Sequence, residues 1–191
     1  MSQVGKAIGE NLQFATRFSA MGDILIRHAT PQDSEAIRAI YNHEVENETS
    51  TFDLVPRSAD DQLAWQNARQ GAFCVFVAEL DGEVVGFGAL SPYKERAAYR
   101  TSVEDSVYVR RDMGQRGIGR ALLDHLLNTA ADGGFHAVIA RITTLSFGSL
   151  ALHEKLGFSM VGVEREIGRK FNKWLDVAIM QCLLHERSTN K

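Results

Sequence analysis

The stretch that most constrains this chain is Ser106-Val107-Tyr108-Val109-Arg110-Arg111-Asp112-Met113-Gly114-Gln115-Arg116-Gly117-Ile118-Gly119-Arg120-Ala121-Leu122-Leu123. Ser102 to Val109 reads as a strand, and Arg110 to Gly117 as a turn rich in glycine and arginine. Leu122, Leu123, Leu126, Leu127 and Ala130 then recur at helical spacing. Glycines in such a turn let backbone N–H groups approach a ligand and converge on it. The helix N-terminus adds the positive end of its dipole, so the segment is built to hold phosphate groups. Arg110, Arg111, Arg116 and Arg120 put four positive charges into eleven residues of a chain whose net charge is -3.

Two phosphate motifs are tested by the spacing. Gly114-x4-Gly119 has Walker A spacing, but Arg120-Ala121 stands where Lys-Ser/Thr is required, which disfavours nucleotide hydrolysis. Gly117-x-Gly119 opens a dinucleotide fingerprint, but Leu122 occupies the third glycine position. A lone Gly-x-Gly is also what an ordinary strand–helix turn with solvated arginines looks like.

The rest of the chain reads as one mixed α/β domain. Ile24 to Arg27 is a strand; Thr30-Pro31 opens a helix carrying Ala36, Ile37, Ile40, Tyr41 and Val45 on one face. Ser58 to Arg69 is a second helix capped by Ser58. Phe73 to Leu80 and Glu83 to Leu90 are strands joined by Asp81-Gly82, a two-residue hairpin signal. Pro92 to Arg100 is a polar loop, His136 to Ile142 a strand, and Ser149 to Leu156 a helix ended by Gly157. Phe158 to Val163 and Trp174 to Leu184 are the last strands. The order β-α-α-β-β-β-α-β-α-β-β places helices around one sheet. The domain is expected over residues 23–187, with a tail at 188–191. Residues 1–22 are set apart as an extension, or as sequence preceding a start at Met21.

With 45% hydrophobic and 24% charged residues, the chain has the mix of a soluble globular protein. No apolar run approaches the roughly 18 residues that span a bilayer. The acidic balance gives no reason to seek nucleic acid or anionic membrane. Cys74 and Cys182 lie far apart in apolar runs and read as free thiols in a cytoplasmic protein. No group of His, Cys, Asp and Glu has metal-ligand spacing, so no metal is expected.

Seven landmarks in order add to this reading. They are Ile26-Arg27-x-Ala29-Thr30, Tyr41-Asn42-His43, Lys94-Glu95-Arg96-x-x-Tyr99, Val103 to Val109, Gln115-Arg116-Gly117-Ile118-Gly119, Leu152-His153-Glu154-Lys155-Leu156-Gly157-Phe158, and Lys170-Phe171-x-x-Trp174-Leu175-Asp176-Val177. With them the chain resembles the GNAT superfamily of N-acetyltransferases, and within it the phosphinothricin/methionine sulfoximine acetyltransferases, from about Ile24 to Leu184. The resemblance implies the α/β (α+β) GNAT fold, a mixed and mostly antiparallel sheet flanked by helices. It also implies a homodimer and acetyl transfer from acetyl-CoA to the amine of a small amino-acid-like substrate. Acetylation of protein N-termini or lysines, or a non-catalytic acetyl-CoA sensor, are the alternatives.

The resemblance also implies roles. Val107, Tyr108 and Val109 would pair with the pantetheine arm through their backbone, and Gln115, Arg116, Gly117, Ile118, Gly119 and Arg120 would wrap the pyrophosphate. Two positions depart from the pattern: Gly114 replaces the usual Gln or Arg, and Ser146 replaces an Asn, so weaker coenzyme binding is expected. Glu104, on the strand beside the coenzyme arm, is the candidate base for the incoming ammonium, or a sheet-surface carboxylate. His153 stands where many members carry a Tyr near the sulfur, and either protonates the thiolate or simply packs on its helix. Lys94 and Arg96 suit a substrate carboxylate. Glu95, Tyr99, Glu104, Asp105 and Ser106 fall among the implied substrate contacts, and Phe52 and Tyr99 either wall the pocket or pack in the core.

Overall fold

Val75-Phe76-Val77-Ala78 is apolar without alternation because the sheet is covered on both faces there. The computed structural model describes residues 23–187, so the extension expected at 1–22 and the tail expected at 188–191 lie outside the described residues. On one side, Val75 and Val77 of β2 (Val75–Leu80) meet Ile37, Ile40, Tyr41 and Val45 of α1 (Ser34–Asn47), together with Phe87 and Ala89 of β3 (Glu83–Pro92). Trp65 of α2 (Ala59–Asn67) closes that layer. On the other side, Phe76 meets Leu123, Leu126, Leu127 and Ala130 of α3 (Ile118–Asp132). Leu122, Leu123, Leu126, Leu127 and Ala130 are all fully buried, each leucine stabilising the fold by about 1.5–3 kcal/mol relative to exposure.

The remaining elements are β1 (Leu25–His28), β4 (Ser102–Val109), β5 (Ala137–Thr143), α4 (Phe147–Lys155), β6 (Ser159–Lys170), β7 (Lys173–Leu183) and a short α5 (Leu184–Arg187). The sheet has seven strands in the order β1-β2-β3-β4-β5-β7-β6. Every neighbouring pair is antiparallel except β4–β5, which is parallel. That is the mixed, mostly antiparallel sheet expected. No described helix is long and apolar enough to cross a membrane.

Local signals explain most boundaries. The Ser58 hydroxyl accepts the Asp61 N–H at 3.1 Å and caps α2. Asp81 and Gly82 both take positive φ, 52° and 82°, as a two-residue hairpin turn demands. Several boundaries differ from the sequence reading by one or two residues, and three of the differences bear on the site or the sheet edge. The helix expected from Thr30-Pro31 begins with a 3-10 turn over Pro31–Asp33 before α1. α4 begins at Phe147 rather than Ser149. β6 runs on to Lys170, seven residues beyond the Val163 expected, through register shifts between Met160 and Gly162 and between Glu164 and Gly168. It is an edge strand whose second half, Glu164 to Lys170, is mostly charged, so apolar alternation does not mark it.

Candidate active site

The pairing of β4 with β5 covers only Ser102, Val103 and Glu104, which face Ala137, Val138 and Ile139. From Asp105 to Val109, β4 stays paired with β3 alone. Its other edge is therefore open along Ser106, Val107, Tyr108 and Val109, a row of backbone donors and acceptors available to an extended ligand. Strand alternation splits the side chains of β4. Val103 and Val107 pack in the α3 layer, while Tyr108 stacks on Phe87 at 5.2 Å and meets Tyr41 edge-on at 5.3 Å in the α1 layer.

Past Val109 the chain turns into α3. Gln115 and Gly117 adopt positive φ, 62° and 82°, with Gly117 at the helix N-cap. The first helical bond runs from Ala121 N–H to the Gly117 carbonyl at 3.0 Å. The N–H groups of Ile118, Gly119 and Arg120 therefore face outward at the positive helix end. The four arginines divide. Arg110 pairs with Asp112 and Glu83 at 2.8 and 3.0 Å, and Arg111 grips Glu44 at 2.8 and 2.5 Å. Arg116 and Arg120 make no ion pair among the described residues. At Gly114 the φ is -60°, and an added Cβ would meet only the Arg111 carbonyl, at 3.6 Å, so the backbone does not demand glycine there. Ser146 starts α4 with its hydroxyl uninvolved in capping.

Glu104 is half-buried on the α1 side of the sheet. Burial pushes its carboxyl above the ordinary range; Arg141 opposes the rise, and the charges of Asp105 and Glu164 add to it. Arg141 sits two residues past Ile139 on β5, on the face of Glu104, and pairs with Glu164 of β6 at 2.5 Å. Sequence reasoning missed both, because only the β5–β7–β6 register brings them together. Asp105, expected among the substrate contacts, turns the other way: it is 7% exposed and bonds His153 Nε2 at 3.0 Å. Glu104 and His153 thus lie on opposite faces of β4. His153 is 4% exposed, and its Nδ1 donates to the Ser149 carbonyl at 2.8 Å. Burial pulls the imidazole pKa down, but the hydrogen bond and charge of Asp105 and the Ser149 carbonyl outweigh it, and the net shift is upward.

Phe52 lies on the strap between α1 and α2, with its ring against Gly168 of β6: a Cβ there would fall 2.0 Å from Phe52 Cε2. The strap is tied by Tyr41 Oη, which donates to Asp53 at 2.6 Å, and by buried Lys170, whose Nζ donates to the carbonyls of Thr51 and Glu44 at 2.9 and 3.2 Å. Lys94, Glu95, Arg96 and Tyr99 are exposed on the loop between β3 and β4, with Lys94 Nζ over the rings of Tyr93 and Tyr99 at 4.8 and 5.3 Å. Ser106 is half-buried at the open edge. A hollow of about 450 Å³ beside Ala36, Ala39, Ile40 and Val84 lies by Arg110 and Arg111, at the far end of β4 from Glu104, and holds none of these groups. Among the described residues no group of three or more His, Cys, Asp or Glu side chains could hold a metal.

A family model described as acetyltransferase (GNAT) domain matches residues 26–179. The chain belongs to the GNAT acetyltransferase family. The L-amino acid N-acyltransferase MnaT of Escherichia coli is 38% identical to this GNAT chain over 164 residues, which are 85% of this chain and 95% of MnaT. The L-methionine sulfoximine/L-methionine sulfone acetyltransferase of Pseudomonas aeruginosa is 36% identical, over 83% of this chain and 94% of its own. The GNAT phosphinothricin acetyltransferase of Sinorhizobium meliloti, solved in complex with acetyl-CoA, superposes with a TM-score of 0.82 at 34% identity, covering 88% of this chain and 92% of its own. This GNAT enzyme is accordingly an acetyl-CoA-dependent N-acetyltransferase of the phosphinothricin/methionine sulfoximine type. Acetyl-CoA is its acetyl donor.

Proposed function

We propose that this acetyltransferase modifies the α-amino group of a small amino-acid-like substrate of the methionine sulfone, methionine sulfoximine or phosphinothricin kind. The observation that carries the reading is Glu104: a half-buried carboxylate two residues before the open edge of β4 begins at Ser106, on the face of the sheet covered by α1, to which Tyr41 ties the strap bearing Phe52. The names of the similar proteins support the substrate class. The pantetheine arm lies along the open edge at Val107, Tyr108 and Val109, and the pyrophosphate on the outward N–H groups from Gln115 to Arg120, with Arg116 and Arg120, which make no ion pair among the described residues, as its cations. Ser146 offers a hydroxyl at the start of α4.

The chemistry follows from the two faces of β4. The substrate arrives as an ammonium, and Glu104 takes one proton to free the nitrogen lone pair. The nitrogen bonds to the acetyl carbon, the C–S bond breaks, and its electron pair stays on sulfur. His153, from the opposite face, is the proton source for that sulfur. The nitrogen loses a second proton as the amide forms; of the two released, one restores the His153 proton and the other passes to solvent. Arg96, with Lys94, holds the substrate carboxylate in a fork, and Phe52 walls the acceptor side. We also infer a homodimer, with the exposed Met160, Val161, Val163, Ile167 and Trp174 of β6 and β7 as its apolar contact; sedimentation of the wild type against Trp174→Glu tests it.

The test of function is thiol release from acetyl-CoA over a panel of methionine sulfone, methionine sulfoximine, phosphinothricin, polyamines and N-terminal peptides. Turnover favouring the amino acid analogues, with Arg96→Ala raising their KM more than that of carboxylate-free amines, is the expected result. Preferential turnover of peptides would contradict it.

A further inference from the structure

The surroundings of His153 limit how its proton can travel. Both ring nitrogens face acceptors: Nε2 meets Asp105 Oδ2 at 3.0 Å and Nδ1 meets the Ser149 carbonyl at 2.8 Å. A neutral imidazole has one N–H and satisfies only one of two such acceptors, whereas the doubly protonated ring satisfies both. Asp105 is the charged group that acts on the ring among the described residues, and the Phe158 ring, edge-on at 4.9 Å, covers it from the chain that follows α4. Asp105 also acts on Glu104, which lies on the far face of β4. Among the described residues Asp105 Oδ1 is buried without a partner, which leaves Oδ2 and the ring as the place where this carboxylate is satisfied.

The ring is too enclosed to reach a ligand directly, and one polar atom lies on the way out. Ser149 Oγ is 3.4 Å from His153 Nδ1, and Ser149 is half-buried one helical turn nearer the start of α4. That turn begins at Ser146 and stands beside the phosphate-binding turn, because Gly119 lies against Leu152: a Cβ at Gly119 would sit 3.3 Å from Leu152 Cδ2. The bond to the Ser149 carbonyl fixes Nδ1 as a donor, so it cannot take the serine proton and make Ser149 a nucleophile; the proton can pass only outward. The 3.4 Å separation is of the kind that tightens when substrate is bound.

We propose that Asp105, His153 and Ser149 form a proton chain that ends on the departing thiolate, with Ser149 Oγ as the atom that delivers the proton. In this step the C–S electron pair comes to rest on sulfur, the Ser149 hydroxyl proton bonds to it, and Nδ1–H reprotonates Oγ. The neutral imidazole regains a proton from the surplus released by the amine. Asp105 is a positioning residue: it keeps the ring doubly protonated and oriented. The proposal rests on His153 being the proton source, and its test separates the two.

The experiment measures kcat, KM and the pH profile with acetyl-CoA and methionine sulfone, or the best acceptor of the panel, alongside NMR titration of the His153 ring. Ser149→Ala is expected to lower kcat and leave acetyl-CoA affinity unchanged, Ser149→Thr to restore kcat, and Ser149→Ala combined with His153→Gln to lose no more than His153→Gln alone. Asp105→Asn is expected to move both the His153 titration and the alkaline limb of kcat to lower pH, the effect of removing an adjacent opposite charge. An impaired His153→Gln beside a fully active Ser149→Ala overturns the relay and leaves His153 as proton source. A fully active His153→Gln overturns both. An Asp105→Asn variant of lowered melting temperature but unmoved titration overturns the positioning role.

Discussion

Gly168 lies so close to Phe52 that a Cβ on the glycine would fall 2.0 Å from the edge of the ring. The contact joins β6 to the strap between α1 and α2, next to the point where Lys170 holds the Thr51 carbonyl. In the proposed acceptor site it fixes where the Phe52 wall stands relative to Glu104. Gly168→Ala forces the ring to move, at an overpacking cost of about 1–3 kcal/mol. A lower melting temperature and a higher KM for the acceptor, with acetyl-CoA affinity intact, are expected. An unchanged acceptor KM in the folded variant would mean that Phe52 does not wall the pocket.

Gly117 is tested differently, because an added Cβ there meets nothing within 4 Å. Its requirement is conformational: at φ 82° a side chain costs about 1–2 kcal/mol. If Gly117→Val relieves that strain by rotating the backbone, the N–H groups at the start of α3 turn away from the phosphates. Calorimetry should then report acetyl-CoA affinity weakened by about tenfold or more. Wild-type affinity would remove this turn from the coenzyme site.

Arg141 predicts the sign of a pH shift. Its positive charge holds the Glu104 carboxyl down against burial and against the charges of Asp105 and Glu164. In the proposed role of general base Glu104 works only when deprotonated, and the acid limb of kcat/KM then follows its pKa. Arg141→Ala removes the opposing charge, the pKa rises, and the acid limb moves to higher pH. A limb that stays in place or moves lower would show that the limb reports another group.

Much of this was legible in the chain, and what was not has a physical reason. The Asp81-Gly82 hairpin and the strand–turn–helix from Ser102 to Asp132 are set by local backbone demands, which residue types reveal directly. The continuation of β6 to Lys170 was hidden because pairing with β7, not apolar alternation, holds it, and its turn uses Phe171 and Asn172 at φ 48° and 63°, where Phe gives no turn signal. Asp105 and His153 lie 48 residues apart, and nothing between them announces the bond. Period-two alternation alone would have put Glu104 and Asp105 on opposite faces, yet which face meets α4 depends on the packed layers.

The most direct measurement is the turnover of Glu104→Gln with acetyl-CoA and methionine sulfone from neutral to alkaline pH. The substitution keeps the shape of a half-buried side chain and removes its basic oxygen. Turnover at neutral pH should fall by roughly 10²- to 10⁴-fold, the usual contribution of a positioned base. Acetyl-CoA affinity should stay near that of the wild type, and the residual rate should climb with pH as solution supplies free amine. Near-normal turnover at neutral pH would contradict the assignment and place the base elsewhere.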